Sequence, residues 1–261
     1  MASLKKHHFG FKVSDAILIP GESSLQRIAW NVSFFGALAA LIILPLVKPV
    51  PYREIISFFP DGLWVTFQVT LLSIFFALIL GILMVLSRMS RLPVLNLIAS
   101  LYTEVIRGIP LLVQIFYIYY VVARLVQLPP IVSAVMAMAI CYGAYIGEIL
   151  RGGVQSIPRG QMEAAIALGL SRWQAIRLVV LPQMMKVVLP PVGNEFIALL
   201  KDSSLVSIIA VIDIFRRARE YASVKYYYFE SYTMVALVYL VLTLFFSRLV
   251  TILEKRLHHG R

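Results

Sequence analysis

The sequence predicts an all-α protein: a polytopic bundle of about six transmembrane helices. Three observations predict it. Of 261 residues, 60% are hydrophobic and 14% charged, where a soluble chain carries about 25% charge. Apolar runs recur at the ~20-residue length that a helix needs to cross ~30 Å of hydrocarbon. Lipid offers backbone N–H and C=O groups no partner, which makes each such run helical.

The spans follow in order. Span one covers residues 28–47. Its Ala37-Leu38-Ala39 mimics a signal-peptide cleavage site, but a long polar segment precedes it and the apolar run continues through Leu46. An uncleaved span is expected. Span two covers residues 62–86, span three 109–126 and span four 131–150. Glu104 and Arg107, just before span three, and Glu148, at the end of span four, read as membrane-interface anchors. The aromatics Phe116, Tyr117, Tyr119 and Tyr120 read as bundle packing or an interfacial belt. Span five covers residues 187–212, and Pro190, Pro191 and Gly193 predict a kink in it. Span six covers residues 232–253, after a polar stretch over 215–231. The division is then an N-terminal tail with an extra span (1–60), a core (61–253) holding a loop at 156–182, and a short tail (254–261).

The net charge is +11. In a membrane protein such an excess orients the loops. One set of loops, including both termini and the 156–182 segment, holds about twice the lysine and arginine of the other, and is expected to be cytoplasmic. The single cysteine, Cys141, excludes an intrachain disulfide. All four histidines lie in the two tails, so neither a metal site nor a His-based catalytic set is expected. No phosphate-binding G-x-x-x-x-G-K-[ST] loop is present, so any ATP hydrolysis falls to a partner, and no cofactor is implied.

Between spans four and five stands "QMEAAIALGLSRWQAIRLVVLP", residues 161–182. Ser156 and Pro158 are helix-start residues, and Gly160 permits a tight entry. A first helix is expected over 161–168, stopped by Gly169. Ser171 followed by Gln174 fits a capping box for a second helix, which should end before Pro182. A DNA-reading helix-turn-helix is one reading, but spans close in on both sides and leave no room for a duplex. An ordinary structured loop and a docking element are the others.

Glu163-Ala164-Ala165, three residues, Gly169, nine residues, then Val179-Val180-Leu181-Pro182 resembles the EAA loop of ATP-binding-cassette importer permeases. "YTEVIRGIPLLVQIFYIYY" (102–120) and "GNEFIALLKDSSLVSII" (193–209) are similar to the polar amino-acid uptake branch (histidine, glutamine, glutamate, arginine type). The resemblance runs from about residue 61 to 253. It implies a type I importer permease fold in the cell (inner) membrane, in contact with lipid. It implies a second permease subunit, identical or related, two separate ATPase subunits and an extracytoplasmic amino-acid-binding protein. It also implies coupling to the ATPase through Arg159, Gly160, Glu163, Ala164, Ala165 and Gly169. No nucleic acid is implied. A secondary transporter is the alternative; the lack of a visible internal repeat counts against it.

Ionisable groups within spans are costly and so are candidates for function. Span five carries Glu195, Lys201, Asp202, Ser203 and Ser204. Glu195 and Asp202 are seven residues apart and share a helix face. They could meet a substrate ammonium group, or Lys201 could pair with an acid on a neighbouring helix or subunit.

Overall fold

The computed structural model describes residues 24–258. Lys5, Lys6, Lys12 and three of the four histidines (His7, His8 and His259) lie outside them. The described residues are nine helices: α1 (Ser24–Val47), α2 (Pro49–Met89), α3 (Pro93–Gly108), α4 (Leu111–Val126), α5 (Pro130–Gln155), α6 (Arg159–Ala167), α7 (Arg172–Ile209), α8 (Ile214–Lys225) and α9 (Tyr228–His258). Helices α1, α2, α5, α7 and α9 are each long and apolar enough to cross a membrane, and the bent pair α3–α4 makes a sixth.

Burial sorts the bundle. In its most apolar stretch, 67% of α5 is buried, against 11% of α1 and 6% of α9. Helix α5 is therefore the axis, and α1 and α9 are the outer wall. Lipid is the natural cover for the apolar side chains that the outer helices expose. The α2–α5 seam is built from small residues, because apolar side chains gain nothing by leaving lipid and close backbone packing must hold the helices together. Gly81 on α2 meets Ile146 and Gly147 on α5, and Gly143 packs against Leu80; a side chain on Gly147 would run into Met84. Around this seam Val69, Ile115, Met138, Ile146 and Leu199 form the main core.

Two expectations need correction. Span three does not begin at residue 109: α3 and α4 meet at a 105° bend across Gly108, Ile109 and Pro110. The second loop helix does not stop before Pro182. A π-turn over Ile176–Val180 widens the backbone there, and Leu181 N–H bonds Ile176 O, five residues back. The wider turn makes room for the proline ring, and α7 runs on. The backbone also stays helical through Pro190 and Pro191. The polar stretch at 215–231 contains α8, a helix packed on the N-terminal part of α2 and on α9 through Ile55, Phe59, Ile214, Ala218 and Met234. Helix α2 itself passes unbroken across residues 60 and 61.

Helix α1 is strapped to α9. Trp30 Nε1 donates to Leu244 O at 3.2 Å, the Arg248 guanidinium lies 5.4 Å from the Trp30 ring, and Lys48 pairs with Glu230 at 3.5 Å.

Asp213 caps α8, outside the apolar spans. Its Oδ1 accepts from Arg216 N at 3.0 Å and its Oδ2 from Phe215 N at 3.3 Å. Ile214 N donates to Thr66 Oγ1 at 3.3 Å, which fixes α8 to α2. The side chain is fully buried, and burial pushes its pKa up from 3.8 to about 6 against the pull of the two backbone N–H groups and Arg219. A raised carboxyl pKa favours the fold below about pH 4 and loses that contribution as pH rises through about 6. Asp213→Asn keeps one cap acceptor and removes the charge. It should stabilise the protein by about 1–2 kcal/mol at pH 8 and not at pH 4, read as thermal unfolding of solubilised protein across that range.

Candidate functional site

A half-open cavity of about 430 Å³ lies at the α3–α4 break, against α5 and α7. Pro110 starts α4, and its ring denies α3 the N–H that would have continued it. The walls are Arg107 and the 108–111 backbone from the break, Cys141, Tyr142 and Tyr145 from α5, and Glu195, Ala198 and Asp202 from α7. Glu195 and Asp202 thus share a face, as their spacing predicts. Tyr142 Oη donates to Asp202 Oδ2 at 2.8 Å. The Arg107 guanidinium lies 5.2 Å from the Tyr145 ring centre, and its charge and that of Asp202 both act on Glu195. One cation and two carboxylates face one space.

Arg107 and Glu148 each take a specific place beyond the interface-anchor reading. The bend turns Arg107 into the cavity. Glu148 is the hub of an ion-pair cluster, bonded to Arg88 Nη1 at 2.6 Å and to Arg151 Nη2 at 2.7 Å. Arg88 also donates to Ser100 Oγ at 3.0 Å, so the cluster ties α2, α3 and α5 together. Glu104 joins Arg88, Glu148 and Arg151 on the wall of a second, polar cavity. Sequence reasoning missed Arg107; the signal available was the charged residue directly before Gly108-Ile109-Pro110.

The other span-five candidates lie outside the cavity wall. Lys201 is exposed and makes no ion pair among the described residues. Ser203 Oγ donates to Leu200 O at 2.7 Å and Ser204 Oγ to Lys201 O at 2.9 Å, so both hydroxyls bond the carbonyls of their own helix end. Phe116, Tyr119 and Tyr120 pack on one another, with Phe116–Tyr120 centres 5.7 Å apart, and stay clear of the cavity.

The 156–182 loop folds as a rigid hairpin. Helix α6 begins after Pro158; Ser156 Oγ bonds Gly153 O and so closes α5 instead of starting α6. Gly160 sits in the first turn with open space around it. Gly169 has φ +87°, Leu170 N bonds Ala165 O at 3.2 Å and Gly169 N bonds Ile166 O at 2.9 Å. That pair of bonds is the Schellman stop, which needs a residue at home in the left-handed region. Ser171 and Gln174 make the reciprocal capping box at the start of α7. Ala165 is buried against its own chain, while Arg159, Glu163 and Ala164 are exposed. Arg159, Met162, Glu163, Ile166, Arg172 and Ile176 line a groove of about 620 Å³ between the two helices. Leu168 is 84% exposed and Trp173 69%. Trp173 stands at the start of α7, fourteen residues ahead of the predicted fifth span at 187.

Comparison with known proteins identifies the class. The model of the family described as "Binding-protein-dependent transport system inner membrane component" matches residues 77–259. The chain belongs to this family, the multi-pass permease subunits of ATP-binding-cassette importers. It is a non-catalytic transport component whose ATP is hydrolysed by a separate subunit. It is 34% identical over 216 residues to the probable amino-acid permease protein YxeN of Bacillus subtilis (strain 168), covering 80% of this chain and 96% of that one. It is 38% identical to the L-cystine transport system permease protein TcyB of the same organism, over 77% of this chain and 88% of that one. It is 37% identical to the glutamine transport system permease protein GlnP of Escherichia coli (strain K12), over 76% and 91%. A crystal structure of an amino acid ABC transporter with histidines aligns with TM-score 0.72 at 41% identity, over 82% of this chain and 97% of that one. The inward-facing MetNI methionine ABC transporter aligns with TM-score 0.62 at 20% identity, over 77% and 98%, and shares the fold.

Proposed function

We propose that the chain is the permease of an amino-acid importer and that the α3–α4 break is where the amino acid passes. The observation that carries this is the meeting of Arg107, Glu195 and Asp202 in one cavity. An amino acid presents a carboxylate and an ammonium group. Arg107 pairs with the carboxylate, helped by the first N–H groups of α4, which have no acceptor within the helix. Glu195 and Asp202 receive the ammonium. With all three ionised the site carries one negative charge in excess, which a cationic side chain neutralises. The names of the similar permeases, glutamine and L-cystine among them, fit an amino acid without choosing one. Lys201, Ser203 and Ser204 border the same helix turn and complete the polar pathway toward the end of α7.

The second element of the proposal is the α6–α7 hairpin as the handle gripped by an ATPase. Arg159, Glu163 and Ala164 present the contact face, Gly160 leaves it unobstructed, and Ala165 and Gly169 hold its shape. Leu168 and Trp173, exposed on the hairpin, add the large apolar anchors that dominate protein interfaces. The loop and both termini are cytoplasmic in this reading, two permease chains stand on two ATPases, and a binding protein delivers the amino acid from the other side. The segment before residue 61 adds a span whose contacts with α9 brace the outer wall.

Reconstitution in liposomes with the ATPase and the binding protein tests the whole. Uptake should require ATP and stop when the ATPase is left out. Uptake driven by an ion gradient without ATP would replace this reading with a secondary transporter.

A further inference from the structure

We propose that Gln114 is the positioning residue of the cavity: its side-chain amide straps the broken helix and holds Arg107 in place. The role rests on the cavity being the amino-acid path. The break creates a specific bonding deficit. Ile106 O would normally accept from the residue four places on, but that residue is Pro110, which has no N–H. Ile109 O, in extended backbone between the two helices, lies outside either ladder. Both bonds lie in partly buried surroundings, where an unmet acceptor carries a cost. Gln114 Nε2 donates to Ile106 O and to Ile109 O, each at 2.8 Å. Its two hydrogens answer the two orphaned carbonyls, one near the end of α3 and one in the bend itself.

The orientation of the amide is fixed by the same geometry. Turned over, it would face two carbonyl oxygens with a third oxygen. The cost of this arrangement is visible: Gln114 is 7% exposed and its Oε1 is buried without a partner among the described residues. A leucine would pack there without that loss, since Ile115 beside it is fully buried in the apolar core. The amide is explained by what Nε2 does. Arg107 lies between the two bonded carbonyls in sequence, so the strap fixes the turn that aims the guanidinium at Glu195.

Cys141 makes the inference testable. It is the only cysteine in the chain, it lines the cavity, and its Sγ lies 3.7 Å from Gln114 Nε2. The experiment measures labelling of this chain by a methanethiosulfonate reagent in the solubilised permease–ATPase complex, with and without saturating L-arginine. Gln114→Leu should label about tenfold faster than the unaltered chain, the effect of losing one or two buried hydrogen bonds. Gln114→Glu, whose neutral carboxyl donates once, should fall between them. The L-arginine concentration needed for half-protection should rise in both variants. Labelling of both variants at the unaltered rate would overturn the strap. Gln114→Glu keeps the side-chain volume and carries the same test if Gln114→Leu is not recovered. Failure of the cavity reading looks different: L-arginine, L-histidine and L-glutamine would all leave Cys141 unprotected in the unaltered protein, whatever the variants do.

Discussion

Gly169→Pro is expected to abolish ATP-driven uptake while leaving the chain in the membrane. Gly169 holds φ +87° and donates its N–H to Ile166 O. Proline has neither the angle nor the N–H, and the substitution costs about 3 kcal/mol or more at the turn. The hairpin then loses its sharp reversal, and Glu163, Leu168 and Trp173 no longer present one surface. Glu163→Ala is the gentler companion. Glu163 is exposed and makes no ion pair among the described residues, so its loss leaves the fold intact and removes only what it offers a partner. Uptake should fall by about 10- to 100-fold with the ATPase still turning over, the cost of deleting a central interface charge. Normal uptake by both variants, measured in the reconstituted system, would remove the handle from the account.

Loss of the cavity charges is the second large effect. Arg107→Ala leaves Glu195 and Asp202 on one cavity wall without their cation. The expected cost is about 2–5 kcal/mol, roughly 30-fold to several thousandfold in uptake of any amino acid. Glu195→Gln and Asp202→Asn should act differently. Each removes one negative charge, so uptake of L-arginine should fall by more than uptake of L-glutamine. Uptake of both amino acids at unaltered rates in all three variants would show that the path lies elsewhere.

How much of this was legible in the sequence varies by element. The long apolar runs located five spans because their lengths answer directly to the thickness of lipid. Gly169, and Ser171 with Gln174, gave the hairpin because their signals are local: one left-handed angle and one capping box. The spacing of Glu195 and Asp202 gave their common face for the same reason. The bend at 108–110 was not legible. Residues 93–108 have charged and polar positions among the apolar ones and no run long enough to flag a crossing, so Pro110 read as the start of a span instead of the middle of a broken one. Arg107 was misplaced as a consequence, since its depth depends on that bend. Helix α8 was readable in principle from Asp213 ahead of Ile214, but its polar face resembles a solvated loop. The π-turn before Pro182 has no local sequence rule behind it.

Helix α7 carries a mechanical consequence. Trp173 at the handle and Asp202 in the cavity stand on one rod, twenty-nine residues or about 44 Å apart. A tilt of only about 5° about its far end sweeps the near end through about 4 Å, more than the length of a hydrogen bond. A power stroke delivered to the proposed handle would therefore need no relay of intervening parts to reach the proposed cavity.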